Sequence, residues 1–223
     1  NYRGVLLVVT EDAASARQLQ QEMQFFGGDK LTVLNFPAWE TLPYDNFSPH
    51  QDIISERIRC LASISTATDG VLFLPVSTLL QKIAPAEFIH QRSLQLSVGD
   101  RIAMGGLRES LSRYGYRAVG QVEEHGEFSV RGSILDLFPM GSSIPFRIDF
   151  FDDEVESIRS FDSDTQKSIE KIDGIRLLPA QEYPLDDEGI KRFRLNFRET
   201  FAIDPNTCPV YVDISEGISS PGV

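Results

Sequence analysis

The sequence predicts an α/β unit with a parallel sheet, followed by an antiparallel α+β unit. Near the start, apolar runs at residues 4–10 and 31–36 flank a helical pattern, which is typical of a strand–helix–strand unit with parallel strands. Between residues 116 and 178, short apolar and β-branched runs follow one another without a helical pattern, which favours antiparallel strands. The 41% of hydrophobic residues among 223 are enough to build a core.

The first unit is expected to begin with a strand at residues 4–10. This run is continuously apolar, which predicts burial on both faces. The helix after it, at residues 11–26, should bury a stripe of Leu19, Met23 and Phe26 and end at the two glycines that follow. The remaining elements expected in this unit are a strand at 31–36, a helix at 52–65, a strand at 70–74 and a short helix at 77–83.

The second unit is expected to start after a boundary at residues 85–92. Its predicted elements are strands at 94–98, 116–123, 127–131, 133–138, 144–151, 154–161 and 168–178, with one helix at 106–114. An amphipathic helix at 186–201 should then bury Ile190, Phe193 and Phe197, and a strand region is expected from residue 203. The chain therefore divides into segments 1–92, 93–178 and 179–223.

The strand at residues 144–151 carries the candidate functional face. Its alternate large apolar residues should face the core, namely Ile144, Phe146, Ile148 and Phe150. Arg147, Asp149 and Phe151 then share the other face. A phenylalanine beside an arginine is typical of a protein-binding face, because aromatic and arginine side chains carry most interface energy. The alternative is that Asp149 pairs with Arg147 and only holds it at the surface.

Charge and cysteine usage narrow the class of protein. The net charge of −12 disfavours a grip on a nucleic-acid backbone, so we expect weak binding to duplex DNA and partners with basic patches. The two cysteines, Cys60 and Cys208, form neither a disulfide framework nor a metal cluster, which fits a reducing cytoplasm. No apolar run is long enough to span a membrane, and we interpret the chain as a fragment of a longer protein.

Three other patterns have a structural and a functional interpretation. His125 between Glu124 and Glu127 could mark a metal or acid–base site, but a structural or solvated role is favoured without a fuller constellation. The acids between residues 149 and 156 are better explained by a hairpin turn than by a metal site. The loop at residues 37–49 should be ordered over the sheet edge, with its aromatic residues packed rather than stacked on bases: Trp39, Tyr44 and Phe47.

Two long stretches resemble the bacterial transcription-repair coupling factors, the Mfd family. The first is AWETLPYD at residues 38–45, continued by SPHQDIISER at 48–57. The second is EHGEFSVRG at residues 124–132, continued by DLFP at 136–139 and by FRIDFFDDE at 146–154. The resemblance covers nearly the whole chain and implies the amino-terminal module of that family, which is similar to the repair protein UvrB.

In that family, residues 1–92 would be a degenerate RecA-like parallel-sheet domain without a phosphate loop. Residues 93–178 would be an inserted antiparallel α+β domain that binds UvrA, and residues 179–223 the start of a return to the first domain. The resemblance maps the UvrA-contacting positions to Arg131, Arg147 and Phe151. It implies no catalytic, cofactor-binding or metal residue in this chain.

The full-length proteins of this family are ATP-dependent DNA translocases that release RNA polymerase stalled at DNA lesions and start nucleotide-excision repair. The resemblance places ATP and magnesium, RNA polymerase and duplex DNA at parts of the parent outside this chain. The alternative is a UvrB-like ATPase that binds damaged DNA. It is disfavoured because the sequence holds no G-x-x-x-x-G-K-[ST] loop, and because residues 48–71 leave no room for an aromatic hairpin insertion.

Overall fold

The computed structural model describes residues 4–28, 31–41 and 47–219. In these residues, seven α-helices accompany eleven strands in a three-stranded, a six-stranded and a two-stranded sheet. Parallel and antiparallel sheets both occur, as the sequence predicts, and the parallel one comes first. Within the described residues, no helix is both long and apolar enough to cross a membrane.

The three-stranded sheet is parallel, as predicted, and its last strand in the sequence lies in the centre. Strand β3 (Asp69–Pro75) lies between β1 (Gly4–Thr10) and β2 (Val33–Asn35) and pairs with both. Strand β3 is therefore the buried central strand, and β1 lies at the edge. The prediction that β1 is buried on both faces is wrong, because Leu6 and Leu7 are 50% and 48% exposed.

Helix α1 (Ala13–Gly27) packs across this sheet with a narrower buried face than predicted. Two residues of the predicted stripe, Leu19 and Phe26, are exposed. The contact with the sheet is made by Ala16, which is buried, and by Met23 beside it. The small Ala16 side chain lets the helix approach Val71 and Phe73 of the sheet closely.

Helix α2 (Gln51–Ile64) matches the prediction, and its buried face includes Ile58, Cys60 and Leu61. Two short helices follow β3. The first, α3 (Val76–Leu79), overlaps only the start of the helix predicted at 77–83. The second, α4 (Ala86–Gln91), forms where the sequence predicts only a unit boundary, and it buries Phe88 and Ile89 against the core.

The six-stranded sheet is the largest element of the fold. In spatial order it consists of β10 (Ser168–Ile172), β9 (Glu154–Phe161), β8 (Phe146–Phe151), β7 (Ile134–Leu137), β6 (Glu127–Arg131) and β5 (Arg117–Ala118). Neighbouring strands are antiparallel except β5 and β6, which are parallel. Helix α5 (Met104–Arg113) buries Leu107 and Leu111 in the core on the inner side of this sheet.

Two predicted strands of the second unit are wrong in extent. The segment at 116–123 is strand only in β5, because Val122 turns into a small cluster with Phe138 and Phe161. The segment at 168–178 is two strands in different sheets. Its second half, β11 (Gly174–Leu177), pairs with β4 (Leu94–Ser97) instead of continuing β10.

The end of the described chain is helical rather than a strand region. Helix α6 (Asp187–Thr200) is followed by a 3₁₀ turn and by α7 (Pro209–Ser215), so the strand expected from residue 203 is wrong. Proline at the first position of α7 is compatible with a helix start. The two helices pack through Phe197 and Tyr211, whose ring centroids lie 4.9 Å apart.

The three-stranded and six-stranded sheets share one hydrophobic core. It joins residues of α2, such as Ile58, to residues of the larger sheet, such as Ile148. Gly141 lies at one point of contact with α2, because its N–H donates to Ser55 Oγ at 2.8 Å. Its φ is +81°, and a Cβ there would lie 2.9 Å from Leu178 Cδ1, so only glycine fits without movement.

Candidate protein-binding face

The side of the six-stranded sheet that carries Arg131, Arg147, Asp149 and Phe151 is called the outer face below. The predicted alternation along β8 is confirmed: Phe146, Ile148 and Phe150 are at most 9% exposed, whereas Phe151 is 75% exposed. The register with β9 shifts between Asp149 and Phe150. Phe151 is the last residue of β8, next to the turn into β9.

Arg131 and Arg147 meet at one buried carboxylate, which the sequence analysis missed. The Asp136 side chain is 1% exposed and accepts hydrogen bonds from Arg147 Nε at 2.7 Å and Nη2 at 3.0 Å. Arg131 Nη2 donates to the same carboxylate at 2.5 Å. Asp136 lies directly opposite Arg147 in the strand pairing, so the register of β7 and β8 creates this cluster.

Arg147 lies on the outer face as predicted, but most of its side chain is enclosed. It is 16% exposed, donates through Nη1 to the backbone oxygen of Gln166 at 3.3 Å, and lies over the Phe161 ring at 5.0 Å. The hydrogen bonds to Asp136 raise the pKa of Arg147, so it stays charged. Little of the Arg147 side chain is therefore open to a partner, whereas the Arg131 side chain is 55% exposed.

The alternative pairing of Asp149 with Arg147 is not the one observed. Asp149 Oδ2 accepts instead from Arg159 Nη1 at 3.2 Å and from Ser157 Oγ at 3.1 Å. The signal for Asp136 was a single acid inside the apolar run Ile-Leu-Asp-Leu-Phe. A buried carboxylate needs cationic or hydrogen-bonding partners, so the sequence could have predicted that Asp136 has such a partner, although not which residues supply it.

The contacts of His125 support the structural interpretation. Its Nδ1 lies 2.8 Å from Asp52 Oδ1, its Nε2 lies 2.7 Å from the backbone oxygen of Ser142, and its ring packs on Phe138 at 4.0 Å between centroids. It thus links α2 to two loops of the larger sheet. Within the described ranges, no group of three or more His, Cys, Asp or Glu side chains is arranged to hold a metal ion.

The aromatic residues of the loop at 37–49 do not behave alike. Trp39 packs over the guanidinium of Arg57 at 4.6 Å from the ring centroid, as expected for a packed side chain. Phe47 is 76% exposed, so the prediction that it packs is wrong. Tyr44 and the rest of residues 42–46 lie outside the described residues.

A cavity of about 1040 Å³ lies where α2, the Trp39 segment, α5 and α6 meet. Its wall includes Glu182, which forms two hydrogen bonds with the fully buried Arg57, from Nε at 2.6 Å and from Nη2 at 3.1 Å. Arg57 also donates to the backbone oxygen of Pro37 at 2.7 Å. The ion pair therefore fixes the segment after β11, which leaves the two-stranded sheet, against α2.

Residues 94–183 match the family described as the UvrB interaction domain. The chain is 47% identical over 222 residues, 99% of its length, to the transcription-repair-coupling factor of Haemophilus influenzae, and 44% identical over its whole length to that of Escherichia coli. It is 35% identical over 83% of its length to the factor of Myxococcus xanthus. The chain spans about one fifth of the length of these curated relatives, 19%, 19% and 16% in turn.

Proposed function

Because the chain is homologous over its whole length to transcription-repair-coupling factors and carries a UvrB interaction domain, we propose that it is the module of such a factor that docks the repair protein UvrA. The observation that carries this proposal is Phe151, 75% exposed on the same face of the sheet as two arginines held by Asp136. An exposed phenylalanine that shares a face with arginines has the composition of an interface anchor, and a protein partner can cover it.

The three side chains have different roles in this proposal. Phe151 supplies apolar area and is the anchor. Arg131, more than half exposed, supplies a charge to the partner. Arg147 offers the partner the small exposed part of its guanidinium, and its ion pair balances the negative charge of the buried Asp136 carboxylate. Because Asp136 already fixes both arginines, little side-chain entropy is lost when a partner binds, which favours affinity.

The finer assignments belong to the same proposal. Residues 1–92 are a RecA-like domain without a phosphate loop, residues 93–178 the inserted UvrA-binding domain, and residues 179–223 the start of the return segment. The parallel three-stranded sheet and the family match at 94–183 support this division. In this proposal the module works in the cytoplasm. It acts by binding a partner and not by catalysing a reaction. ATP and magnesium, RNA polymerase and duplex DNA are bound by other parts of the parent translocase.

A UvrB-like ATPase is the less favoured function. The relatives that align over this whole chain are coupling factors, and the chain has no phosphate loop. The test is a calorimetric titration of purified UvrA with the 223-residue chain alone. We expect a saturable complex without RNA polymerase, DNA or ATP. The proposal would be refuted if no complex formed at concentrations of tens of micromolar, which corresponds to a binding free energy of about −6 kcal/mol or weaker.

A further inference from the structure

The register of the six-stranded sheet aligns five residues in one row across its outer face. Directly opposed residues of neighbouring strands share a face. The members of this cross-strand row are, from β6 to β10, Ser129, Asp136, Arg147, Arg159 and Lys171. Its last three members are cations on three successive strands, so a line of positive charge crosses half of the sheet in a chain whose net charge is −12.

Arg159 and Lys171 are the accessible end of this row. The Arg159 side chain is 37% exposed and makes one hydrogen bond with Asp149, whereas Arg147 is 16% exposed and enclosed by Asp136. Lys171 is exposed and forms no ion pair with any residue in the described ranges. Strands lie roughly 4.8 Å apart, so Lys171 is about 10 Å from Arg147 along the row. The row therefore extends the charged part of the outer face toward β10.

The surroundings of the row indicate which kind of anion it suits. Asp149 lies on the same face, one row away from Arg159, accepts a hydrogen bond from it and is 20% exposed. A nucleic-acid backbone carries about one charge per 1.7 Å and would meet this carboxylate as well as the cations. A folded protein can place individual carboxylates opposite individual cations and avoid the acid beside them. The mixed pattern thus favours an acidic protein segment over a phosphate chain.

We propose that Arg159 and Lys171 are further binding residues of the outer face, and that they take carboxylates of an acidic segment on UvrA. This inference rests on the proposed function of the chain. Phe151 and Arg131 anchor the partner at one side of the face, and the row sets its orientation at the other side. Charges at the edge of an interface act mainly on the association rate and its salt dependence.

The test is the affinity and association rate of the 223-residue chain for UvrA at low and at physiological salt. We expect Arg159→Gln/Lys171→Gln to lower affinity about tenfold at low salt, with a smaller loss as salt screens the pairs. A matched control, Arg108→Gln/Lys191→Gln, removes one exposed arginine and one exposed lysine from helices α5 and α6. This control should bind UvrA as the wild type does.

Each result decides between the two claims. If the wild type binds UvrA and Phe151→Ala weakens binding, but the row variant stays within twofold of its control, this inference is wrong and the proposed function stands. If the wild type does not bind, both fail. If the row variant loses affinity for a duplex oligonucleotide but not for UvrA, the row serves nucleic acid and the inference is overturned. Should the double variant not fold, Lys171→Gln alone makes the same comparison, because it removes no ion pair.

Discussion

The guanidinium of Arg147 donates two hydrogen bonds to the carboxylate of Asp136, which is directly opposite it on the next strand and only 1% exposed. We expect Arg147→Ala to lower the free energy of unfolding by about 2–4 kcal/mol, because it leaves a buried carboxylate with one cation. Arg131→Ala should cost about 1 kcal/mol or less, since that side chain is more than half exposed. Urea unfolding of both variants measures the difference, and equal losses would contradict it.

Arg57 and Glu182 are predicted to be coupled in stability. Arg57 is fully buried and Glu182 nearly so, and the two are 125 residues apart in sequence. Arg57→Leu should destabilise the chain by about 3–5 kcal/mol by leaving the Glu182 carboxylate unpaired, and adding Glu182→Leu should recover part of that loss.

The control for this cycle is Arg59→Ala on the same helix, whose side chain is 56% exposed and which should change stability by about 0.5 kcal/mol or less. Strictly additive losses in the Arg57 and Glu182 variants would show that the buried pair does not act as a unit.

Asp186 makes part of the stability dependent on pH. The hydrogen bond from the Gly189 N–H, followed by the Arg92 guanidinium, holds the pKa of this carboxyl below its usual 3.8. Folding therefore favours the ionised form of Asp186. Its contribution to the free energy of unfolding is present above the usual pKa of 3.8 and is lost as the pH falls through the lowered pKa of the folded chain.

Asp186→Asn keeps the helix cap but cannot titrate. The urea midpoint of the wild type should fall more than that of Asp186→Asn between about pH 6 and about pH 3. Parallel decreases in the two proteins would show that this carboxyl does not contribute.

The isolated chain is expected not to hydrolyse ATP, since its sequence has no G-x-x-x-x-G-K-[ST] loop to hold the phosphates. Phosphate release by the purified chain should equal the buffer background. Turnover that a single substitution within the chain abolishes would contradict this prediction and would favour the UvrB-like ATPase.

Local patterns in the sequence predicted which side of β8 faces the core, because strand alternation depends only on neighbouring residues. The same patterns could not predict the enclosure of Arg147, since that depends on which residue of β7 lies opposite. The partner of Asp149 was missed for the same reason: it comes from β9 through the register of that pair.

The errors in the fold have the same origin. An apolar run such as β1 predicts a strand but does not tell whether that strand lies in the centre or at the edge of its sheet. Residues 168–178 divide at Asp173-Gly174, a turn signal that was overlooked, and β11 finds its partner in β4, far back in the chain. Helix α4 was missed because six residues are too few to show a helical pattern of apolar positions.

The affinity of Phe151→Ala for UvrA tests the central claim most directly. Phe26, 82% exposed on α1, is a matched control for Phe151, because both are exposed phenylalanines outside the core. We expect Phe151→Ala to melt like the wild type and to lose about 2–4 kcal/mol of binding, roughly thirtyfold to a thousandfold in Kd, while Phe26→Ala binds normally. Wild-type affinity in a folded Phe151→Ala variant would show that the outer face is not the docking surface.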